Sequence, residues 1–179
     1  MLALIAAKKL KDIKGELQMI IGITGKSGSG KSTYAENLSK ENGCFVVHID
    51  DIGHKVLESD YVKNKLIEVF GTTDRKQIGD LIFTHRHLYE NLTDLVWSDM
   101  KKEIDTLLET HDNVILDWLL LPHTHYWKMC DKKILVVADE EDRKTRVMAR
   151  DNISAKYLNK RDAAGIDYNS IQFDEIIKN

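Results

Sequence analysis

Short apolar runs alternate along the chain with stretches in which apolar residues recur at helical spacing. Each short run is nearly continuous rather than alternating, which is typical of strands covered on both faces of a parallel sheet. Strands that alternate with helices predict an α/β fold with helices packed on the sheet. The segment Phe173–Ile177 is a candidate fifth strand. The four clear runs are Met19–Ile23, Cys44–Ile49, Asn113–Trp118 and Lys133–Ala138.

Two long helices are predicted between the second and third strands. From Ile52 to Phe70 the apolar residues keep helical spacing, and Gly71 suits the position just after a helix end. From His85 to Thr110 the same spacing holds, with Thr84 as the candidate N-cap. This is more helix than one crossover between parallel strands needs. We therefore interpret residues 52–112 as a helical insert, which in a nucleotide enzyme usually covers the second substrate.

Residues 1–18 precede the first strand and carry apolar side chains at helical spacing, with Gly15 as a stop signal. They predict a short amphipathic helix added before a domain over residues 19–179. Lys8 and Lys9 stand where a secretory signal would have its cleavage site, so we interpret this segment as an extension of the domain. A biological start at Met19 is the alternative.

The composition is that of an ordinary single domain: 179 residues, 42% hydrophobic, 31% charged, with a formal net charge of −3. Mixed charges argue against nucleic acid or an anionic membrane as a partner bound by bulk charge. No apolar run is long enough to span a bilayer. The cysteines Cys44 and Cys130 lack C-x-x-C spacing, which favours reduced thiols in a cytoplasmic protein. The sequence leaves the oligomeric state open.

One run fills every fixed position of the phosphate-binding template G-x-x-x-x-G-K-[ST]. It lies between the first predicted strand and a predicted helix over Ser32–Leu38, which is the context that the template requires. Glycines let the backbone curl its N–H groups around an anion, and the helix N-terminus adds a positive dipole end. In this template the lysine, Lys31, reaches the β- and γ-phosphates, and the Ser32 hydroxyl binds Mg²⁺. The predicted ATP-binding residues are Gly25, Lys26, Ser27, Gly28, Ser29, Gly30, Lys31, Ser32 and Thr33.

Acidic residues follow the second and third strands, at the sheet edge where open parallel sheets bind ligands. Asp50 can accept or orient the proton of an attacking hydroxyl group. The alternative is that Asp50 or Asp51 only N-caps the next helix, and Asp51 suits that position better. Asp117 ends an apolar strand, as the Mg²⁺-binding carboxylate of a Walker B strand does, although many buried strands end in Asp.

The helix predicted after the fourth strand is acidic at its start and basic at its end, as the helix dipole favours. Arg143, Arg146 and Arg150 are spaced i, i+3 and i+7, which predicts one shared face. A row of guanidinium groups can clamp phosphates bidentately. The alternative is a solvated helix with internal acid–base pairs.

From about Ile20 onward the chain resembles the dephospho-CoA kinase family. Members carry T-G-G-x-G-S-G-K-S at the phosphate loop, where Thr24–Ser32 reads T-G-K-S-G-S-G-K-S. Their D-x-D-x-x-x-H-x-V-L segment matches His48–Leu57, which places the family's base on Asp50. Their D-R-x-x-L-x-x-x-x-F segment matches Asp74–Phe83, and their arginine helix ending in R-D matches Arg146–Asp151. Their closing A-D-x-V-I-x-N is similar to Phe173–Asn179.

The resemblance implies a three-layer α/β/α P-loop kinase core with a parallel sheet, a helical acceptor subdomain and an arginine lid. The lid falls on residues 151–164, in which the further phosphate-facing candidates are Lys156, Lys160 and Arg161. The implied reaction moves a phosphoryl group from ATP, with Mg²⁺, to the 3′-hydroxyl of dephospho-CoA, giving coenzyme A. The implied catalytic residues are Asp50, Lys31, Arg146 and Arg150.

The departures from the family pattern fall on its acceptor side. His48 replaces the first Asp of the strand-two motif, and Leu119–His123 lacks the acid of the family's P-L-L-x-E. Two alternatives therefore stay open. The first is a kinase for a nucleoside, nucleotide or related metabolite, because the loop also resembles that of uridine-kinase-like proteins. The second is a nucleotide-binding regulator that hydrolyses ATP weakly or not at all.

Overall fold

The computed structural model describes residues 18–84 and 86–179, with the side chains of all of these except 75–76 and 82–94. The helix predicted over residues 1–18 lies outside the described residues apart from Gln18, which precedes the first strand. The strands are β1 (Met19–Thr24), β2 (Phe45–His48), β3 (Asn113–Asp117), β4 (Lys132–Val137) and β5 (Glu175–Lys178). The α-helices of the described residues are α1 (Lys31–Asn42), α2 (Ile49–Leu57), α3 (Asp60–Phe70), α4 (Arg75–Thr84), α5 (Arg86–Thr110), α6 (Tyr126–Met129), α7 (Glu140–Asp151) and α8 (Ala155–Ala163).

The strands form one five-stranded sheet in the order β2-β3-β1-β4-β5. Every pairing is parallel, and Asp117 is in register with Ile23 on one side and with His48 on the other. The parallel α/β prediction is confirmed, and the candidate fifth strand forms, over Glu175–Lys178. Because all strands run the same way, the ends of β1, β2 and β3 meet at one edge, and that edge carries the phosphate loop.

Both faces of the sheet are covered, which is why the strands read as continuous apolar runs. On one face Ile21 and Ile23 pack with Ala35 of α1. On the other face Gly22 lets α6 approach closely, because a Cβ at this position would lie 2.7 Å from Cys130 Sγ and 3.0 Å from Trp127 Cζ3. The three-layer arrangement therefore depends on the smallest side chain at the centre of β1.

Residues Ile49–Leu108 form a compact unit distinct from the sheet unit, which comprises residues up to His48 and Glu109–Asn179. The single helix predicted over Ile52–Phe70 is wrong, because the chain turns between α2 and α3. The Ser59 hydroxyl accepts a hydrogen bond from the Val62 N–H at 3.3 Å and caps α3. Hydrophobic spacing continued across this turn and hid a serine cap signal.

The N-cap predicted at Thr84 is also wrong, because Thr84 is the last residue of α4. The start of α4 carries its own signal: the Asp74 carboxylate accepts a hydrogen bond from the Gln77 N–H at 2.8 Å. The described part of the long helix is Arg86–Thr110, and His85, its predicted first residue, lies outside the described residues. Buried Val62, Leu66 and Ile78 give this helical unit its own apolar core.

Candidate active site

The loop between β1 and α1 has the backbone conformation of an anion-binding nest. Its glycines take positive φ values of 153° at Gly25, 79° at Gly28 and 88° at Gly30. Their neighbours also require glycine: a Cβ at Gly25 would lie 2.2 Å from the Val136 carbonyl oxygen, and one at Gly28 would lie 2.5 Å from Val147 Cγ2. Such alternation of conformations turns successive backbone N–H groups toward one concavity, where an anion can be held.

A cavity of about 260 Å³ lies beside this loop and collects several cationic groups. Lys31, at the first position of α1, shares it with the solvent-exposed Arg146 and Arg150 of α7. The N-terminus of α1 adds its positive dipole end. Cationic side chains and backbone donors around one cavity suit a polyphosphate. The lining residues are Gly28, Gly30, Lys31, Ser32, Thr33, Arg146, Val147 and Arg150.

Lys26, Ser27 and Ser29 were also predicted to bind nucleotide, but they do not line this cavity. Lys26 and Ser29 line a second cavity of about 450 Å³, which the end of β4 and residues 162–169 also border. Lys26 Nζ lies 3.6 Å from a Glu140 carboxylate oxygen. Ser27 is held by α7, because Arg150 Nη2 donates to its hydroxyl at 3.1 Å. The structure therefore divides the loop between a part that lines the smaller cavity and a part anchored to the rest of the protein.

Arg143 does not share the exposed face of Arg146 and Arg150, so the prediction of one arginine row is wrong. Its side chain is 1% exposed and donates hydrogen bonds to Glu140, to Asp162 and to the Ser27 carbonyl oxygen. The spacing of the arginines could not reveal that Arg143 is buried. Spacing shows where each residue lies around the helix, but not which side of the helix the rest of the fold covers. Buried Val147, one turn later, marks the covered face.

His48 and Asp117 meet at the carboxyl edge of β2 and β3. His48 Nδ1 lies 2.9 Å from Asp117 Oδ2, and Nε2 lies 2.8 Å from Glu36 Oε1. Burial lowers the pKa of the imidazole, but its hydrogen bonds to the two carboxylates outweigh burial and raise the pKa above its usual value. The sequence identified His48 only as a departure from the family pattern.

Asp117 has one carboxylate oxygen to which no described residue donates a hydrogen bond. Its side chain is 4% exposed, and its Oδ1 has no hydrogen-bond partner within residues 18–84 and 86–179. Buried polar atoms are rarely left without a partner unless a ligand, ion or water satisfies them. Carboxylate oxygen is a ligand type that Mg²⁺ prefers, so the residue fits the predicted ion.

Asp50 and Asp51 are both exposed and both lie in the first turn of α2, which begins at Ile49 directly after β2. The prediction that Asp51 is the N-cap is therefore wrong: the chain passes from strand to helix without an intervening loop residue. Carboxylates in a first helical turn are favoured by the helix dipole. Asp50 belongs to the helical unit and stays the predicted base.

The segment predicted as a lid contains helix α8. Helix α7 ends at Asp151, and Asn152 takes a left-handed conformation with φ of 50°. Arg161 Nη1 donates to Asp151 Oδ2 at 3.0 Å, so the two helices are joined by an ion pair. Arg161 is thus engaged within the protein, whereas Lys156 and Lys160 are exposed. The lid function of residues 151–164 stays a prediction.

Three further side chains form hydrogen bonds in or beside the phosphate loop. The Thr24 hydroxyl donates to the Leu119 carbonyl oxygen at 3.0 Å, and the Tyr168 hydroxyl donates to the same oxygen at 3.4 Å. Asn179 Nδ2 donates to the Ser29 carbonyl oxygen at 3.1 Å. Thr24 begins the phosphate-loop pattern and Asn179 ends the closing family pattern, whereas Tyr168 had no sequence signal.

A phosphate loop between the central strand and a helix, on a parallel sheet of order β2-β3-β1-β4-β5, defines the class of P-loop kinases. The sequence model of one family within this class, described as dephospho-CoA kinase, matches residues 19–172. The chain therefore belongs to the dephospho-CoA kinase family, and the resemblance inferred from its sequence is confirmed.

Individual relatives agree with the family match. A dephospho-CoA kinase of Leptospira interrogans is 30% identical over 151 residues, which cover 78% of this chain and 72% of the relative. A dephospho-CoA kinase of Dehalococcoides mccartyi is 28% identical over 174 residues, covering 89% and 87%.

Among solved structures, the Thermus thermophilus protein TT1252 aligns with a TM-score of 0.76 at 27% identity, covering 90% of this chain and 88% of that one. The comparisons favour neither a nucleoside kinase nor a non-catalytic regulator.

Within the described part of the chain, no helix combines the length and apolar character needed to cross a bilayer.

Glu140 gives the site a pH-dependent contribution to stability. Hydrogen bonding from Arg143, aided by the charges of Arg143 and Lys26, lowers the pKa of Glu140 to about 2 despite partial burial. A depressed carboxyl pKa adds stability that is complete above the unfolded pKa and is lost as the pH falls through the folded pKa. We expect Glu140→Gln to destabilise the protein at pH 7, and the difference from the unaltered protein to shrink between about pH 4.5 and pH 2.

Urea unfolding of both proteins at pH 7, 5 and 3 measures this change, with the exposed Glu141→Gln as the matched control. A stability difference that is the same at pH 7 and pH 3 contradicts the assignment of the lowered pKa to Glu140.

Proposed function

We propose that this chain transfers the γ-phosphoryl group of ATP to the 3′-hydroxyl of dephospho-CoA and releases ADP and coenzyme A. The observation that carries the kinase activity is the cavity in which Lys31 and the loop face Arg146 and Arg150. The acceptor follows from membership of the family and from relatives that are dephospho-CoA kinases.

In this proposal the phosphate loop holds ATP, which is the phosphoryl donor. Backbone N–H groups of Gly28 and Gly30, with the Lys31 ammonium, hold the β- and γ-phosphates in place before reaction. Arg146 and Arg150 balance the negative charge on the transferring group, as arginines do in related phosphoryl-transfer sites. In this structure Arg150 donates to Asp151 and to the Ser27 hydroxyl, so it exchanges these partners for phosphate oxygens when ATP binds.

Asp50 is the base in this proposal. The acceptor's 3′-oxygen forms a bond to the γ-phosphorus as the bond from that phosphorus to the β–γ bridging oxygen breaks. The proton of the hydroxyl passes to the Asp50 carboxylate, and ADP leaves with the bridging oxygen. Asp50 is exposed in the first turn of α2, where the helix dipole favours a negatively charged side chain.

Ser32 and Asp117 are the residues that would hold Mg²⁺. The unpartnered Oδ1 of Asp117 supports this proposal, and Oδ2 is oriented by its hydrogen bond with His48. When bound, Mg²⁺ supplies positive charge that neutralises the β- and γ-phosphate oxygens.

A steady-state assay with ATP, Mg²⁺ and dephospho-CoA tests the proposal, with the product identified by its mass. Coenzyme A formation with coupled ADP release is the expected result. A panel of nucleosides and nucleotides as acceptors distinguishes the alternative metabolite kinase. ATP binding without transfer to any acceptor would instead support a regulatory protein.

A further inference from the structure

Arg143 binds three segments of the chain while its side chain is almost fully buried. Its Nε and Nη2 donate to the two Glu140 carboxylate oxygens at 3.0 and 2.7 Å. Its Nη1 donates to the Ser27 carbonyl oxygen at 3.0 Å, and Nη2 also donates to Asp162 of α8. A buried charge is tolerated only when it is paired and hydrogen-bonded, and this guanidinium meets both conditions.

The contact with Ser27 determines the orientation of one peptide group in the phosphate loop. A trans peptide is planar, and its C=O and N–H point in opposite directions. Because the Ser27 oxygen points to Arg143, the N–H of the same peptide unit, which belongs to Gly28, points away from Arg143. Gly28 lines the phosphate-facing cavity and has a positive φ of 79°.

The opposite orientation of this peptide would harm nucleotide binding. A carbonyl oxygen turned toward the cavity would carry partial negative charge next to the phosphates, whereas an N–H group donates to them. Glycine at position 28 is free to adopt either orientation, so the loop sequence alone does not choose. Helix α7 packs directly on this peptide, since a Cβ at Gly28 would lie 3.1 Å from the Arg143 carbonyl oxygen.

We propose that Arg143 is a positioning residue that holds the Ser27–Gly28 peptide with its N–H available to the nucleotide phosphates. Asp162 fixes the guanidinium from α8, and Glu140 fixes it from the first turn of α7. Arg143 itself does not touch the nucleotide. This inference deepens the proposed function, and it rests on ATP being the ligand of the loop but not on the identity of the acceptor.

Binding of ATP, measured by calorimetry with Mg²⁺, tests the inference on Arg143→Gln and Arg143→Lys. Lysine keeps the charge but cannot form the guanidinium's set of bonds in fixed directions. We expect both variants to bind ATP about tenfold more weakly, the effect of one lost charge-assisted hydrogen bond. The KM for the acceptor should change less than twofold. Lys132→Gln is the control, because it also removes a paired cation, at 2.6 Å from Glu175, from a position that lines neither cavity.

Selective labelling of glycine with ¹⁵N provides a readout that general destabilisation does not mimic. On addition of a non-hydrolysable ATP analogue, the Gly28 amide signal should shift in the unaltered protein and in Lys132→Gln. In Arg143→Gln that shift should be reduced, while the shift of the Gly30 amide is retained.

Folded Arg143 variants that bind ATP within twofold of the unaltered protein would overturn the inference. If neither variant folds, Asp162→Asn decides, because it removes one partner of Arg143 and keeps the guanidinium. Asp162→Asn must then weaken ATP binding more than Lys132→Gln does, and equal affinity of the two variants overturns the inference. Failure of the unaltered protein to bind ATP would overturn the proposed function itself, whereas failure to accept dephospho-CoA would leave the role of Arg143 intact.

Discussion

Replacement of Lys31 by alanine is expected to lower kinase turnover by about a thousandfold, which is the scale for removal of one preorganised group that stabilises transition-state charge. Lys31 begins α1 and shares the phosphate-facing cavity with Arg146 and Arg150. Lys31 is the lysine of the loop motif that lines this cavity, and the arginines cannot replace it because they approach from α7. ATP binding is expected to weaken as well, since the same charge attracts the ground-state phosphates.

The matched control is Lys40→Ala, at the other end of the same helix. This substitution also removes a lysine side chain from α1, but it leaves the phosphate loop unchanged. Turnover should therefore stay within twofold of the unaltered protein. The measurement is ADP release in the coupled assay, with circular dichroism to verify folding. Turnover of Lys31→Ala within tenfold of the unaltered protein would show that the cavity beside the loop is not the donor site.

Asp50→Asn is expected to reduce turnover by on the order of 10²- to 10⁴-fold while leaving the affinity for ATP nearly unchanged. The substitution keeps the size of the side chain and removes its capacity to accept a proton. ATP affinity should persist because the loop, Lys31 and the α7 arginines belong to the sheet unit, whereas Asp50 begins the helical unit. This separation of kcat from nucleotide affinity distinguishes a base from a nucleotide-binding residue.

Asp51→Asn is the matched control for this variant, because both carboxylates are exposed in the first turn of α2. Any effect of lost charge on the helix dipole is shared by the two variants, so only a specific role separates them. Similar turnover of the two variants would remove Asp50 as the base. The base would then have to be sought among other groups near the acceptor.

The phosphate loop illustrates how much of the site could be predicted from local sequence. Glycine at positions 25, 28 and 30 encodes positive φ values, and the strand and helix beside the loop follow from their own apolar patterns. Such features depend on neighbours within a few residues, so a sequence pattern contains them. The same holds for the arginines of α7, whose helix and spacing were both predicted.

The wrong predictions fall in two groups. In one, two sequence signals competed for the same segment, and in the other, burial in the folded chain determined the role of a residue. Apolar spacing over 52–70 concealed the cap at Ser59, and Thr84 suited a cap that the chain does not use. Arg143 has the same residue type and helical spacing as Arg146 and Arg150, yet it is buried while they are exposed. The difference comes from Ser27, Asp162 and the packing of α7 on the loop, which are distant in sequence.

The sequence by itself determined the parallel α/β class, the phosphate loop and the family, because these depend on local periodicity and on contiguous motifs. Only the tertiary structure decided that His48 joins Asp117 to Glu36, that Asp117 Oδ1 has no partner among the described residues, and that Arg143 donates to the Ser27 carbonyl oxygen. These contacts join residues from separate elements. Their energies depend on burial and on hydrogen-bond geometry, which are fixed only when the strands and helices pack together.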